Sequence, residues 1–314
     1  MRRGAIAVSF RAKTIVGLRR SVGSSAKGLT VLRIVHMSDL HLEFEAPKYA
    51  ASDWLRSAAT PATAPLHPSV GPRLQGLRGA DLAILAGDVA PGIACIDYAD
   101  AVASFANCPV VVVPGNHEYY GQDFPSMRRQ LRDAAWATDG RVIFLDRDWV
   151  RLWFGDEELL VFGCTLWTDY AVNGDAERGR AYAAAHLNDH RRISFGDQWF
   201  MPEQAAAEHR QSLAWLDEVM APAKLAESPA RRLVVTHHAP CRQALGNLDA
   251  DLAPAYASDL QDQICRWAPD AWLHGHTHHR HATKIGPTLV ASAPRGYASD
   301  REAVERFRHD ELQL

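Results

Sequence analysis

The sequence PVVVVPGNHE, residues 109–118, places four valines directly before a Pro-Gly pair and three polar residues. A short, β-branched run bounded by prolines is typical of a strand that is buried on both faces. The glycine allows the chain to turn sharply where the strand ends. The stretch therefore predicts a buried strand whose carboxyl end presents the side chains of Asn116, His117 and Glu118.

Four other apolar runs end in the same way. They are residues 30–35 before Asp39-Leu-His41, 81–85 before Gly-Asp88, 232–236 before His237, and 271–273 before Gly-His276-Thr-His278. Because the carboxyl ends of parallel strands meet at one edge of a sheet, these polar side chains are expected to converge.

Helical periodicity separates most of these runs, with apolar residues at three- and four-residue steps. The predicted helices are residues 95–106, 124–137, 202–220 and 256–267. Such alternation favours an α/β core. Three further runs, 141–145, 149–154 and 159–165, follow one another with only turns between them and predict a second sheet. We therefore expect two sheets with helices outside.

Composition sets the limits of this interpretation. The chain has 314 residues, of which 47% are apolar and 23% charged, enough for one large folded domain. No apolar run has the length of a membrane span. The five cysteines are widely spaced without a C-x-x-C pair, which favours neither a disulfide framework nor a thiolate zinc site. We predict a reducing compartment and a cytoplasmic location.

The charge is distributed unevenly along the chain. Residues 1–29 contain seven basic side chains and no acid, so the net charge of −3 leaves about −10 for the remainder. An acidic body argues against nucleic acid as a partner. We predict a disordered basic extension over residues 1–30, with a targeting segment or an over-long start as alternatives. One domain is expected over residues 31–314, with a Pro-rich insert at 58–72 and a polar insert, a lid or specificity loop, at 170–200.

Carboxylate, amide and imidazole ligands at the predicted edge suit Mn, Fe, Zn or similar metals, and their number is sufficient for a two-metal centre. Each motif alone is weak, since Asp-x-His and Gly-Asp are common in turns. Residues 274–281 contain five histidines, so a metal-storage or sensor segment without enzymatic activity is an alternative.

The ordered blocks D-x-H, G-D, G-N-H-E, H and G-H-x-H resemble those of the calcineurin-like metallophosphoesterase superfamily, over about residues 31–297. The resemblance implies a four-layer αββα fold and a dinuclear centre of divalent or trivalent metal ions. It assigns Asp39, His41, Asp88 and His278 to the first metal, and Asp88, Asn116, His237 and His276 to the second.

The resemblance also implies a mechanism, in which a hydroxide that bridges the metals attacks phosphorus. His117 follows the ligand Asn116 and is expected to protonate the leaving group, the alternative being a hydrogen bond that only stabilises the transition state. We expect Glu118 or Asp39 to orient the His117 ring.

Three other residues are candidates for substrate contacts. His190 and Arg191 lie in a polar motif of the 170–200 insert and suit a phosphate, and His238 adjoins a predicted ligand. Arg295 is interpreted as structural. The predicted substrate is a small phosphate mono- or diester, such as a nucleotide or cyclic nucleotide. A serine/threonine-type protein phosphatase and a non-catalytic scaffold with this fold are the alternatives.

Overall fold

The structure is a computed structural model that describes residues 13–15, 31–44, 74, 76–221, 230–297, 299 and 307–314. Its strands are β1 (Lys13–Ile15), β2 (Arg33–Met37), β3 (Leu82–Ala86), β4 (Val110–Val113), β5 (Val142–Phe144), β6 (Asp148–Phe154), β7 (Glu157–Cys164), β8 (Ser194–Phe195), β9 (Gln198–Trp199), β10 (Arg231–Thr236), β11 (Ala271–His274), β12 (His281–Ile285), β13 (Thr288–Ser292) and β14 (Asp310–Gln313).

The helices within these described ranges alternate with the strands. They are α1 (Ala94–Ala106), α2 (Phe124–Trp136), α3 (Ala176–His186), α4 (Asp189–Arg192), α5 (Pro202–Val219), α6 (Ala253–Tyr256) and α7 (Gln261–Trp267), with 3-10 turns at Leu42–Phe44, His117–Tyr119 and Arg242–Leu245. None of the described helices is both long and apolar enough to cross a bilayer.

Two large sheets form the body of the described structure. The first has five strands in the order β14-β2-β3-β4-β5, all parallel except β14. The second has seven in the order β1-β6-β7-β10-β11-β13-β12, and its centre, β7-β10-β11-β13, is parallel. The carboxyl ends of the central strands are therefore available on both sheets to build a site.

The valines of β4 show how the layers pack. Val111 and Val113 belong to the core between the two sheets, together with Val235 and Leu273 of the second sheet. Val110 and Val112 pack on the other side, in a cluster that contains residues of α1 and α2. A third core joins the second sheet to α5 and α7. Each fully buried valine contributes about 1.5–3 kcal/mol, and the four layers confirm the predicted αββα fold.

Two assignments from the sequence were wrong. Residues 141–145 were predicted in the second sheet, but Val142–Phe144 pair in parallel with Val110–Val112 at the edge of the first sheet. The intervening α2 supplies the crossover that a parallel neighbour requires. The predicted helix 256–267 is divided into α6 and α7, because Ala257 is extended and Ser258 donates its backbone N–H to the carbonyl of Ala239.

About half of the polar insert is helical, where the sequence suggested a loop. It contains α3, α4 and the hairpin of β8 and β9. Asp175 caps α3 by accepting a hydrogen bond from the backbone N–H of Arg178 at 3.0 Å. The insert at 58–72 lies outside the described residues. The extension 1–30 does too, apart from Lys13–Ile15, which pair with β6.

Candidate metal centre

The polar residues predicted at the strand ends converge on one edge of the two sheets. Two groups have ligand atoms within 4.8 Å of one another: Asp39, His41 and His278, and Asp88, His237 and His276. A third group, His41, Asp88 and His117, overlaps both. Asp88 therefore lies between the two groups, with one oxygen facing each.

The side chains of the first group lie close together, and hydrogen bonds fix the carboxylate of Asp39. Nε2 of His41 lies 3.0 Å from Nε2 of His278, which lies 3.5 Å from Oδ1 of Asp39. Asp39 also accepts hydrogen bonds from the hydroxyl of Ser38 and the backbone N–H of His276, at 2.9 Å to its Oδ1. These bonds fix the Asp39 carboxylate and leave the imidazole nitrogens facing each other.

The ligand atoms of the second group also face one another. Nδ1 of His237 donates to the carbonyl of Ala86 at 2.9 Å, which leaves the lone pair of neutral His237 on Nε2. That Nε2 lies 3.1 Å from Oδ1 of Asn116, 3.1 Å from Nδ1 of His276 and 3.4 Å from Oδ1 of Asp88. Several acceptors that face one another repel unless a proton or a cation lies between them. The donor set therefore fits a metal ion of the Mn, Fe or Zn type.

The electrostatics of the site also favour a cation. Burial lowers the pKa of His237, but Asp88, Asp39 and the hydrogen bond to Ala86 together raise it to about 10. Burial raises the pKa of Asp88, but His237 and His117 hold it well below the usual value. The buried carboxylates thus create a negative potential that binds positive charge.

Five of these residues have an uncommon backbone conformation. Asp39, His41, Asp88, His276 and His278 have φ between 47° and 69°, a region that residues other than glycine seldom adopt. Such strain persists where the surrounding structure enforces it, typically at functional sites. The turn at each strand end is thus made partly by the polar residue itself.

Only one of the three preceding glycines has the predicted role of turning the chain. Gly87 has φ of 86° and does turn the chain. Gly115 and Gly275 lack a positive φ and are instead required for space. A Cβ on Gly275 would lie 2.8 Å from both the carbonyl oxygen of Ala86 and Oδ2 of Asp39, a distance that real Cβ atoms do not tolerate.

His117 is oriented by a residue that the sequence interpretation missed. Its Nδ1 lies 2.7 Å from Oε1 of Glu43, so neither Glu118 nor Asp39 performs this role. Burial lowers the pKa of His117, but Asp88 and Glu43 raise it to about 9. Nε2 of His117 is 3.9 Å from Oδ2 of Asp88. The spacing Asp39-x-His41-x-Glu43 was the available signal for Glu43.

Glu118 connects two loops of the centre. Its carboxylate accepts hydrogen bonds from the backbone N–H groups of Asp88 at 3.0 Å, Val89 at 2.7 Å and Gly115 at 2.6 Å. It therefore holds the loop after β3 against the loop after β4, and with it the position of Asp88.

The insert reaches the centre through Asp189. Nδ2 of Asn116 donates to Oδ1 of Asp189 at 2.8 Å, and the hydroxyl of Tyr120 donates to the same oxygen at 2.6 Å. Since the amide nitrogen is held by Asp189, the amide oxygen of Asn116 faces His237. The sequence placed the insert over the site but missed this residue.

The structure gives the residues predicted to contact the substrate other partners. His190 is buried, with Nδ1 2.7 Å from the carbonyl of Phe200 and Nε2 3.4 Å from the hydroxyl of Tyr170, so both ring nitrogens have structural partners. Arg191 is exposed, and it is the neighbouring guanidinium of Arg192 that lies over the Tyr120 ring, 4.7 Å from its centroid.

His238 is also a packing residue. Its Nδ1 lies 3.2 Å from the carbonyl of Thr165, and its ring lies 4.1 Å from that of His276. Burial, reinforced by His237, lowers the pKa of His238 well below its usual value and keeps the ring neutral. Arg295 is buried and donates to the carbonyl of Leu40 at 2.7 Å, in agreement with a structural role.

Comparison with known proteins identifies the family and the fold. The model of the family described as calcineurin-like phosphoesterase matches residues 32–280. The chain belongs to this family. Protein L509 of Acanthamoeba polyphaga mimivirus is 24% identical over 219 residues, 65% of this chain and 73% of that protein. The solved structure of phosphopantetheinyl hydrolase (PptH) from Mycobacterium tuberculosis superimposes with a TM-score of 0.63 at 17% identity, over 90% of this chain and 96% of that one, which shows the shared fold.

Proposed function

We propose that this phosphoesterase is a dinuclear metal enzyme that hydrolyses small phosphate mono- or diesters. The observation that carries the proposal is the position of Asp88, whose Oδ1 lies 3.4 Å from Nε2 of His237 in the second group and whose Oδ2 lies 3.7 Å from Nε2 of His41 in the first. The proposed ligands of the first metal are Asp39, His41, Asp88 and His278, and those of the second are Asp88, Asn116, His237 and His276.

Two cations bound there would lower the pKa of a water molecule to near neutrality and neutralise the charge of the phosphoryl oxygens. The residues of the chain supply the other functions. His117 protonates the oxygen of the leaving group, because Asp88 and Glu43 favour its protonated form and its Nε2 faces the space beside Asp88. Glu43 orients that ring, and Asp189 orients the amide of Asn116.

A small ester, such as a nucleotide or cyclic nucleotide, remains the proposed substrate, and a cytoplasmic location remains a prediction. A non-catalytic scaffold is disfavoured because each residue of the predicted ligand set is present and converges with the others. The metals are proposed to be Mn, Fe or Zn, since imidazole, carboxylate and amide donors bind all three.

The test is the hydrolysis of bis(p-nitrophenyl) phosphate and p-nitrophenyl phosphate by chelated protein that is then reconstituted with Mn, Fe or Zn. We expect turnover that depends on added metal and is lost in Asp88→Ala. A matched control is Asp197→Ala, since Asp197 is an exposed carboxylate in the β8–β9 turn. Two bound metals without hydrolysis of either ester would contradict the proposal.

A further inference from the structure

Two aromatic side chains are exposed beside the charged centre. Phe44 is 50% exposed and Tyr297 is 40% exposed, although most of the large apolar side chains near them are buried. Their ring centroids lie 5.6 Å apart at 77°, an edge-to-face contact. Half-exposed rings contribute little to the core, so their position requires another explanation.

Both rings are fixed relative to the proposed ligands. Phe44 ends the 3-10 turn that carries Glu43. Tyr297 follows Gly296, whose backbone N–H donates to the carbonyl of Asp39 at 3.1 Å. The Tyr297 ring packs 4.5 Å from that of His41 and 4.6 Å from that of His278. The pair is therefore a preformed surface and does not need to move to contact a ligand in the centre.

The pair lies beside His117, the residue proposed to protonate the leaving group. The ring centroids of Phe44 and Tyr297 are each 6.3 Å from that of His117, the proposed proton donor. At this distance, the alcohol portion of a group that receives a proton from His117 is within reach of these rings. A planar group stacks on such rings, whereas a small alkyl group gains only part of that contact.

We propose that Phe44 and Tyr297 form an aromatic wall that binds the alcohol portion of the substrate, and that the enzyme prefers esters of alcohols that carry an aromatic ring. Aryl-alkyl and nucleoside esters belong to this class. The inference rests on the proposed function, because it places the alcohol beside His117. Beyond that function, it assigns substrate selection to Phe44 and Tyr297 through contact between aromatic rings.

The test compares 2-phenylethyl phosphate with n-butyl phosphate, whose alcohols have similar acidity, so that chemistry contributes little to the difference. The symmetrical diesters of the same alcohols serve if the enzyme hydrolyses only diesters. Calorimetric binding of the matching phosphonates to the Mn-loaded protein adds a measurement that is independent of turnover. Phe44→Ala and Tyr297→Leu are the test variants, and Trp136→Ala, which removes a 70% exposed ring elsewhere, is the control.

We expect the unmodified protein to bind the phenylethyl compounds at least about fivefold more tightly, which corresponds to the lower range of aromatic stacking on a base. Either test variant should reduce this preference, whereas Trp136→Ala should preserve it. Equal binding of both phosphonates, or equal weakening of both by Phe44→Ala, would overturn the aromatic wall. If neither ester is hydrolysed while the phenylethylphosphonate is still preferred, the proposed function fails and the wall stands.

Discussion

Oε1 of Glu43 lies 2.7 Å from Nδ1 of His117 and 3.3 Å from Nδ1 of His41. One carboxylate therefore contacts both the proposed proton donor and a proposed metal ligand, and it leaves Nε2 of each ring to face the centre. Through Glu43, the orientation of the proposed proton donor His117 is coupled to the position of the metal ligand His41.

Glu43→Gln tests that coupling. The substitution keeps the size of the side chain but removes a charge that raises the pKa of His117, so the imidazolium is lost at lower pH. The alkaline limb of the pH–rate profile should move to lower pH, and rates for esters with poor leaving groups should fall about 10- to 100-fold. Esters with good leaving groups should be affected less.

Glu177→Gln, at an exposed position of α3, is the matched control for this change. His117→Ala should show the same dependence on the leaving group as Glu43→Gln while it retains both metals. An equal loss across all leaving groups would contradict proton donation by His117.

Metal content provides a second prediction. Asp88→Asn should reduce the occupancy of both metals, because its two oxygens face both groups. His278→Ala and His237→Ala should each reduce the total toward one metal per chain. Elemental analysis after dialysis checks these values, and two retained metals in Asp88→Asn would rule out a shared carboxylate.

Asp189→Ala should weaken one metal position without a direct ligand being changed. Without Asp189 the Nδ2 of Asn116 keeps only its hydrogen bond to the hydroxyl of Tyr120 at 3.3 Å, so the amide rotates more readily to present its NH₂ group to His237 in place of the oxygen. We expect affinity for the second metal to fall about 10- to 100-fold, as is usual for outer residues that orient ligands. Metal titration measures this, with Asp197→Ala as the control, and unchanged affinity would disprove the positioning role.

Arg192 and Arg191 form a matched pair for testing the insert. Arg192 packs over Tyr120, whose ring stacks on His117 with centroids 4.2 Å apart. Arg192→Ala should therefore lower kcat/KM several-fold, since cation–π contacts contribute about 0.5–2 kcal/mol. Arg191→Ala should have little effect on kcat/KM. A larger fall in kcat/KM for Arg191→Ala than for Arg192→Ala would instead support Arg191 as a substrate contact.

A stability prediction concerns the ion pair of Arg128 and Asp146. Nε of Arg128 lies 2.6 Å from Oδ2 of Asp146, which is only 3% exposed. Burial raises the pKa of Asp146, but Arg128, with smaller contributions from Arg147 and the backbone N–H of Thr165, holds it below its usual value. Arg128→Met removes the ion-pair partner and leaves that carboxylate only the hydrogen bonds from Tyr119 and Thr165, so it should cost about 3 kcal/mol of unfolding free energy at pH 7.

The pH dependence follows from the sign of this shift. In the unmodified protein, stability from Asp146 is present above its ordinary pKa and is lost as the pH falls through the lowered one. In Arg128→Met the Asp146 carboxyl is more readily protonated. The difference in unfolding free energy between this variant and the unmodified protein should therefore be smaller in acid. Urea unfolding at pH 7 and pH 4 measures this difference. The control is Arg132→Met, at an exposed position one turn along α2. A constant difference at both pH values would contradict the assignment.

The sequence predicted most of the strands that carry the site, because a buried strand and the polar residues at its end are encoded by adjacent residues. Val110–Val113 before Asn116 is such a case. The sequence could not assign Val142–Phe144 to a sheet, since a short, fully apolar strand has the same pattern in either sheet.

By itself, the sequence determined the alternation of elements and the order of Asp39, Asp88, Asn116, His237 and His276 at the strand ends. Only the tertiary structure decided which side chains orient them. Glu43 lies 74 residues from His117, and Asp189 lies 73 residues from Asn116. Such contacts depend on how the layers and the insert pack together, and local patterns of hydrophobicity do not contain that information.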